Sequence, residues 1–191
     1  MDNYGESKVV TALKGLLGAV IGAIPGMLIW IILGKIGFVF SAVGILIGLG
    51  IIMGFAFFTK NADVPLWLML VIFFGVFAVS MILSEKIVWT WELTETFKEY
   101  LPTYREDIIT GALAESDMTR AEVENILTDE LFTEIVEENF GIKEGTFGEC
   151  FSNFSTLLEN LDMKGKYIAS LAQSSLFGII GGISVFVKRR K

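Results

Sequence analysis

At 191 residues, with 53% hydrophobic side chains and a mean hydropathy of +0.62, the chain is too apolar for an ordinary soluble domain of its size. It has no histidine and one cysteine, Cys150. These absences exclude an imidazole base, proton shuttle or metal ligand, an internal disulfide, and a Cys/His zinc site within one chain. The net charge of −7 is unevenly placed: residues 85–167 hold 19 acidic and 7 basic side chains, a net of −12, so the remainder carries +5. The composition describes an apolar, slightly basic body with one acidic insert, and nucleic acid is not an expected partner.

Residues 1–14 are polar to amphipathic, with Lys8 and Lys14 beside the apolar run that starts near Val9. That run is long for a signal-peptide core, and Pro25 and Trp30 stand where small residues would be needed. It is read as an uncleaved first span, about residues 15–33. A short turn, Gly34-Lys35-Ile36-Gly37, leads into a second span of about 36–58. Both are free of charge and long enough for a hydrocarbon slab of roughly 30 Å.

The first span carries Gly18, Gly22 and Gly26 at a four-residue step, with Pro25 beside the last. Such a stripe lets a neighbouring backbone approach closely. Gly44 and Gly48, then Gly50 and Gly54, extend the theme in the second span. Ser174, Gly178 and Gly182 repeat it near the end. Packing within one monomer, a seam between copies, and a pore or lipid contact all fit this spacing, the first best. Pro25 has no N–H for the carbonyl of Ile21 and should kink the helix, as a static bend in preference to a gating hinge.

The break 59–63 precedes a third span, about 65–84, with Asp63 or Val64 as cap and Pro65 in the first turn. Ser84-Glu85-Lys86 is expected to mark the water interface. Trp89 and Trp91 at one end and Trp67 at the other suit an interfacial aromatic belt. Pro102 should end or kink the helix that continues outward.

Residues 92–163 read as an acidic, helical insert. Thr119–Glu122 fits a capping box opening one helix that carries Val123, Ile126, Leu127, Leu131 and Ile135 and stops at Asn139-Phe140-Gly141. Thr146–Glu149 is a second box, followed by Phe147, Phe151, Phe154, Leu158 and Leu161 on one face. Mutual packing of these helices is expected over binding to anionic lipid, because the insert is acidic. Residues of about 167–187 are charge-free and are read as a fourth span ahead of the basic Lys188–Lys191; the alternative is a soluble helix on the insert.

No catalytic constellation emerges. Ser80, Ser84, Ser170, Ser174 and Ser175 lie in or near spans without a base to activate them. Glu134, Glu137 and Glu138 form a solvated face, and lack the spacing of a calcium loop. No cofactor, metal or catalytic residue is expected, and Asn153-Phe154-Ser155 matches a glycosylation sequon by chance. The lack of charges inside the spans weighs against a proton-coupled carrier or ion pump.

The segment Gly18-Ala-Val-Ile-Gly-Ala-Ile-Pro-Gly26 with its following Gly-x-x-Gly resembles the opening of a family of small bacterial multi-pass membrane proteins of no established function. Thr146-Phe-Gly-Glu-Cys-Phe151, Gly165-Lys-Tyr-Ile168 and the final apolar helix are similar to that family's end. The resemblance spans about 15–58 and 145–187. After the second span the sequence departs from it, where those relatives carry a more polar, Gly-rich segment. It implies four spans and supplies no active site.

The expected fold is therefore all-α: an integral membrane protein with four transmembrane helices and an acidic helical insert between spans 3 and 4. Its regions are 1–91 (three spans), 92–163 (insert) and 164–191 (fourth span and basic tail). The positive-inside rule places both termini in the cytoplasm and the insert outside a cell membrane, with Lys35 as weak dissent. Expected partners are the lipid bilayer and either a second copy or another membrane protein. The expected role is a non-enzymatic accessory or scaffold protein, with a small oligomeric channel or transporter subunit as the alternative.

Overall fold

The computed structural model describes residues 8–36, 41–60 and 64–189, with side chains apart from those of 41–43 and 181–189. These residues are almost entirely helical, without a strand among them. The helices are α1 (Lys8–Lys35), α2 (Ser41–Thr59), α3 (Leu66–Glu115), α4 (Arg120–Ile126), α5 (Asp129–Phe140), α6 (Phe147–Ser152), α7 (Phe154–Asn160) and α8 (Lys164–Arg189). The chain divides into two units, Met1–Val88 with Ala169–Lys191, and Trp89–Ile168.

In the first unit α1 runs unbroken through Pro25, and α2 packs antiparallel against it. Ala19, Ala23 and Trp30 meet Ile47, Ile51 and Phe55, and α3 adds Phe73, Phe77 and Met81 to the same buried cluster. Helix α3 begins directly after Pro65, whose carbonyl accepts from Leu68 N–H at 3.0 Å and Met69 N–H at 3.2 Å. The expected cap at Asp63 lies outside the described residues, as does Gly37 of the first turn. By length and composition, α1 and α3 are able to cross a membrane; α2 is apolar but shorter. Much of this unit's apolar surface faces outward: Phe57 is 80% exposed, Met53 68% and Val71 62%.

The second unit has a core of its own. Leu93 and Phe97 of α3 are buried with Val136, Ile142, Cys150 and Leu157. Phe97, Tyr100 and Tyr104 surround Phe140 in edge-to-face contacts 5.3–6.0 Å between ring centres. This packing lies on both sides of Pro102, which neither ends nor interrupts α3. The one hydrogen bond that proline removes is outweighed by the aromatic contacts that need the helix to continue. Trp89 and Trp91 lie against Tyr167 and Phe147.

The helix expected from Thr119 to Phe140 is two helices. Thr128 starts α5, its hydroxyl accepting from Leu131 N–H at 3.3 Å, and Ile126 is left 55% exposed at the break. A polar side chain that satisfies a free helical N–H outcompeted the continuing apolar spacing. Gly141, at φ 70°, closes α5 in the left-handed region that glycine adopts without strain. Gly145, at φ 63°, sits so close to Phe97 that a Cβ there would lie 2.7 Å from its ring. Asn153 likewise divides α6 from α7.

Candidate functional site

The glycine stripe of α1 faces α2. A Cβ on Gly18 would lie 2.8 Å from the Gly54 carbonyl carbon, and one on Gly26 2.7 Å from Ile47 Cγ1. Gly22 and Gly50 oppose each other, so that a methyl on either would fall on the other's carbonyl oxygen. Gly44 faces Gly178 of α8, at 2.6 Å from Cβ to Cα, and Gly178 in turn rests on the Phe77 ring. Gly48 is buried, and the surroundings of Gly182 lie outside the described residues. The named glycines thus mark where α2 meets α1 and where α8 meets α2 and α3.

The same register brings a carboxylate and two hydroxyls together. On α3, Phe77, Met81, Ser84 and Glu85 recur at helical spacing on one side and are all buried. On α8, Ser170, Ser174 and Gly178 form an i, i+4, i+8 line. Because Gly178 meets Phe77, the antiparallel run of α8 carries Ser174 and Ser170 to Glu85 two turns along α3. Ser174 donates its hydroxyl to Glu85 Oε1, and Ser170 donates to Oε2 at 3.4 Å. Glu85 is 3% exposed and Ser174 0%. Among the described residues no ion pair joins Glu85 to a basic side chain. The neighbouring Ser84 buries a hydroxyl that has no hydrogen-bond partner.

Glu85 is therefore a buried residue of the first unit and not a surface one. The sequence carries a signal for this contact, the pair Ser170 and Ser174 one turn apart ahead of Gly178, whose partner is a carboxylate distant in the chain. A buried carboxylate needs strong compensation, since desolvating an ion costs several kcal/mol even after relaxation. Two hydroxyl donors supply part of it.

Near this cluster, α1 and α3 enclose an open apolar groove of about 690 Å³ between Leu16, Val20 and Ile24 on one wall and Val71, Gly75 and Val79 on the other. Ser80 contributes the groove's hydroxyl.

The second unit is tied by polar contacts of a structural kind. Glu149 accepts from the Thr146 N–H and hydroxyl, both at 2.9 Å, and from the N–H groups of Lys143 and Glu144. These donors, the Thr146 N–H foremost, hold its carboxyl below the usual range. Glu122 is lowered in the same way by Thr119. Arg105 donates to Asp129 at 2.7 Å and to the Leu127 carbonyl at 3.0 Å, spanning the α4–α5 break. Burial pushes the Cys150 thiol up. The amide of Asn153 donates to the carbonyls of Gly141 and Glu149, which a sugar on that nitrogen would disturb. Glu134, Glu137 and Glu138 are exposed, Glu137 pairs with Lys143 at 3.0 Å, and no group of three metal-ligating side chains occurs among the described residues. No protein-family model, curated protein or solved structure matches the chain.

Proposed function

We propose that the chain is a four-span membrane protein, with spans in α1, α2, the first part of α3 and α8, that acts without catalysis as an accessory or scaffold subunit. The observation carrying this reading is the outward apolar surface of the first unit, with Val9, Leu13, Leu17, Ile32, Met53 and Phe57 exposed. In water such a surface would drive aggregation, whereas lipid tails solvate it. The close glycine contacts supply the packing that replaces a hydrophobic driving force in lipid. The acidic second unit, with its independent core, is the part offered to a partner.

The terminal basic cluster orients both termini to the cytoplasm and the second unit outside. Two measurements test this. Carbonate-washed membranes should retain the protein; release into the wash removes the spanning reading. An impermeant maleimide on intact cells should label a cysteine placed at Lys35 or Glu137 and not one at Lys60. Protection of the Glu137 position overturns the orientation.

The buried Glu85 cluster favours a second reading, a subunit of a small oligomeric channel or transporter. Cross-linking in mild detergent separates the two, because a strictly monomeric protein removes the pore reading.

A further inference from the structure

We propose that Glu85, Ser170 and Ser174 form a binding site for a hard monovalent cation. The site is built from α3 and α8 and needs neither the scaffold nor the channel reading.

Four oxygen atoms are brought together there in two hydroxyl–carboxylate pairs: both carboxylate oxygens of Glu85 and the hydroxyls of Ser170 and Ser174. Each carboxylate oxygen of Glu85 on α3 has its own hydroxyl from α8, so four oxygen atoms of two helices stand side by side. All are oxygen, without nitrogen or sulfur, which is the donor chemistry of alkali and alkaline-earth ions. Ser174 is 0% and Glu85 3% exposed, so an occupant exchanges bulk water for these ligands.

Charge selects among such ions. The cluster holds one carboxylate and no paired base among the described residues. A monovalent cation makes it neutral, while a divalent one leaves a buried positive charge, as costly as the negative one it replaced. The hydroxyls suit both states: each donates to the carboxylate when no ion is bound, and turns a lone pair toward the ion when one is. Cation occupancy would thereby tighten the contact of α8 with α3.

The test is thermal melting of the full chain in mild detergent, titrated with NaCl, LiCl or KCl against choline chloride at constant ionic strength and fixed neutral pH. The expected result is a saturable rise in melting temperature with at least one of these ions over choline. Glu85→Gln should abolish that rise, and Ser174→Ala should weaken the apparent affinity about tenfold. Equal melting in all four salts overturns the proposal, as does an unchanged cation response in Glu85→Gln. Should Glu85→Gln fail to fold, Ser174→Ala decides alone: an unshifted titration midpoint overturns the site.

Discussion

Gly22 and Gly50 meet backbone to backbone, each presenting its missing side chain to the other's carbonyl oxygen. Neither neighbour is a flexible side chain able to swing aside, so even a methyl group forces the helices apart. Gly22→Ala should destabilise the first unit by about 3 kcal/mol, at the upper end of overpacking costs. Gly75 in α3 is the internal comparison, because a Cβ there meets nothing within 4 Å. Gly75→Ala should be neutral or gain about 1 kcal/mol from helix propensity. Melting of the two variants in the same detergent checks this, and equal melting removes the proposed packing role of the stripe.

Glu149 gives the second unit a defined acid sensitivity. Its carboxyl is held low first by the Thr146 N–H, then by the Thr146 hydroxyl and the N–H groups of Lys143 and Glu144, against the opposing effect of burial. A carboxylate whose folded value is depressed adds stability above its unfolded value of about 4.3 and loses it as pH falls through the lower, folded value. Glu122, lowered by Thr119, has the same sign. Amide exchange in residues 146–152 should therefore be insensitive to pH-linked opening from about pH 7 to 5 and accelerate below about pH 4, after correction for intrinsic rates. Thr146→Ala should cost about 1 kcal/mol at neutral pH and flatten the acid response.

Cys150 is the chain's single cysteine, fully buried, with its thiol pushed up by burial. Both the shielding and the scarcity of thiolate slow attack on a maleimide. Labelling of the folded protein at pH 7.5 should be about 100-fold slower than in denaturant, and limited by opening of the second unit. Labelling of the native chain at the denatured rate would place Cys150 outside the core. The slow reaction also leaves introduced cysteines readable in the topology experiment.

What the sequence made legible was local. Thr119–Glu122 and Thr146–Glu149 announce their helix starts because a capping box is completed within four residues, and Gly141 announces a stop because only the left-handed region closes that turn without strain. The charge-free runs announce helices by composition. Less legible was whatever depends on partners far along the chain. Pro102 reads locally as a terminator, yet Phe97, Tyr100 and Tyr104 gain their contacts with Phe140 only if α3 continues. Thr128 reads as one more residue of a helix until Arg105 is seen to reach across the break to the Leu127 carbonyl. Glu85, flanked by Ser84 and Lys86, has the look of a surface residue; its burial follows from Gly178 seating α8 on Phe77, a relation spanning about half the sequence.

Ser84 and Ser174 allow the buried hydroxyls of the first unit to be told apart. Both side chains are 0% exposed. Ser174 donates to Glu85, whereas the Ser84 hydroxyl has no hydrogen-bond partner. Removing a donor from a buried carboxylate leaves that charge less compensated, so Ser174→Ala should cost about 2 kcal/mol. Removing a hydroxyl that is already unsatisfied orphans nothing and relieves a desolvation penalty, so Ser84→Ala should be neutral or stabilise by about 1 kcal/mol. Volume is nearly the same in both changes, and a packing effect alone would move both in one direction. Melting in choline chloride keeps alkali cations out of the comparison. Opposite signs for the two variants support Glu85 as a hydrogen-bond acceptor held by α8; loss of stability on Ser84→Ala of the same size would mean that its hydroxyl holds a bound water or another donor in the folded protein.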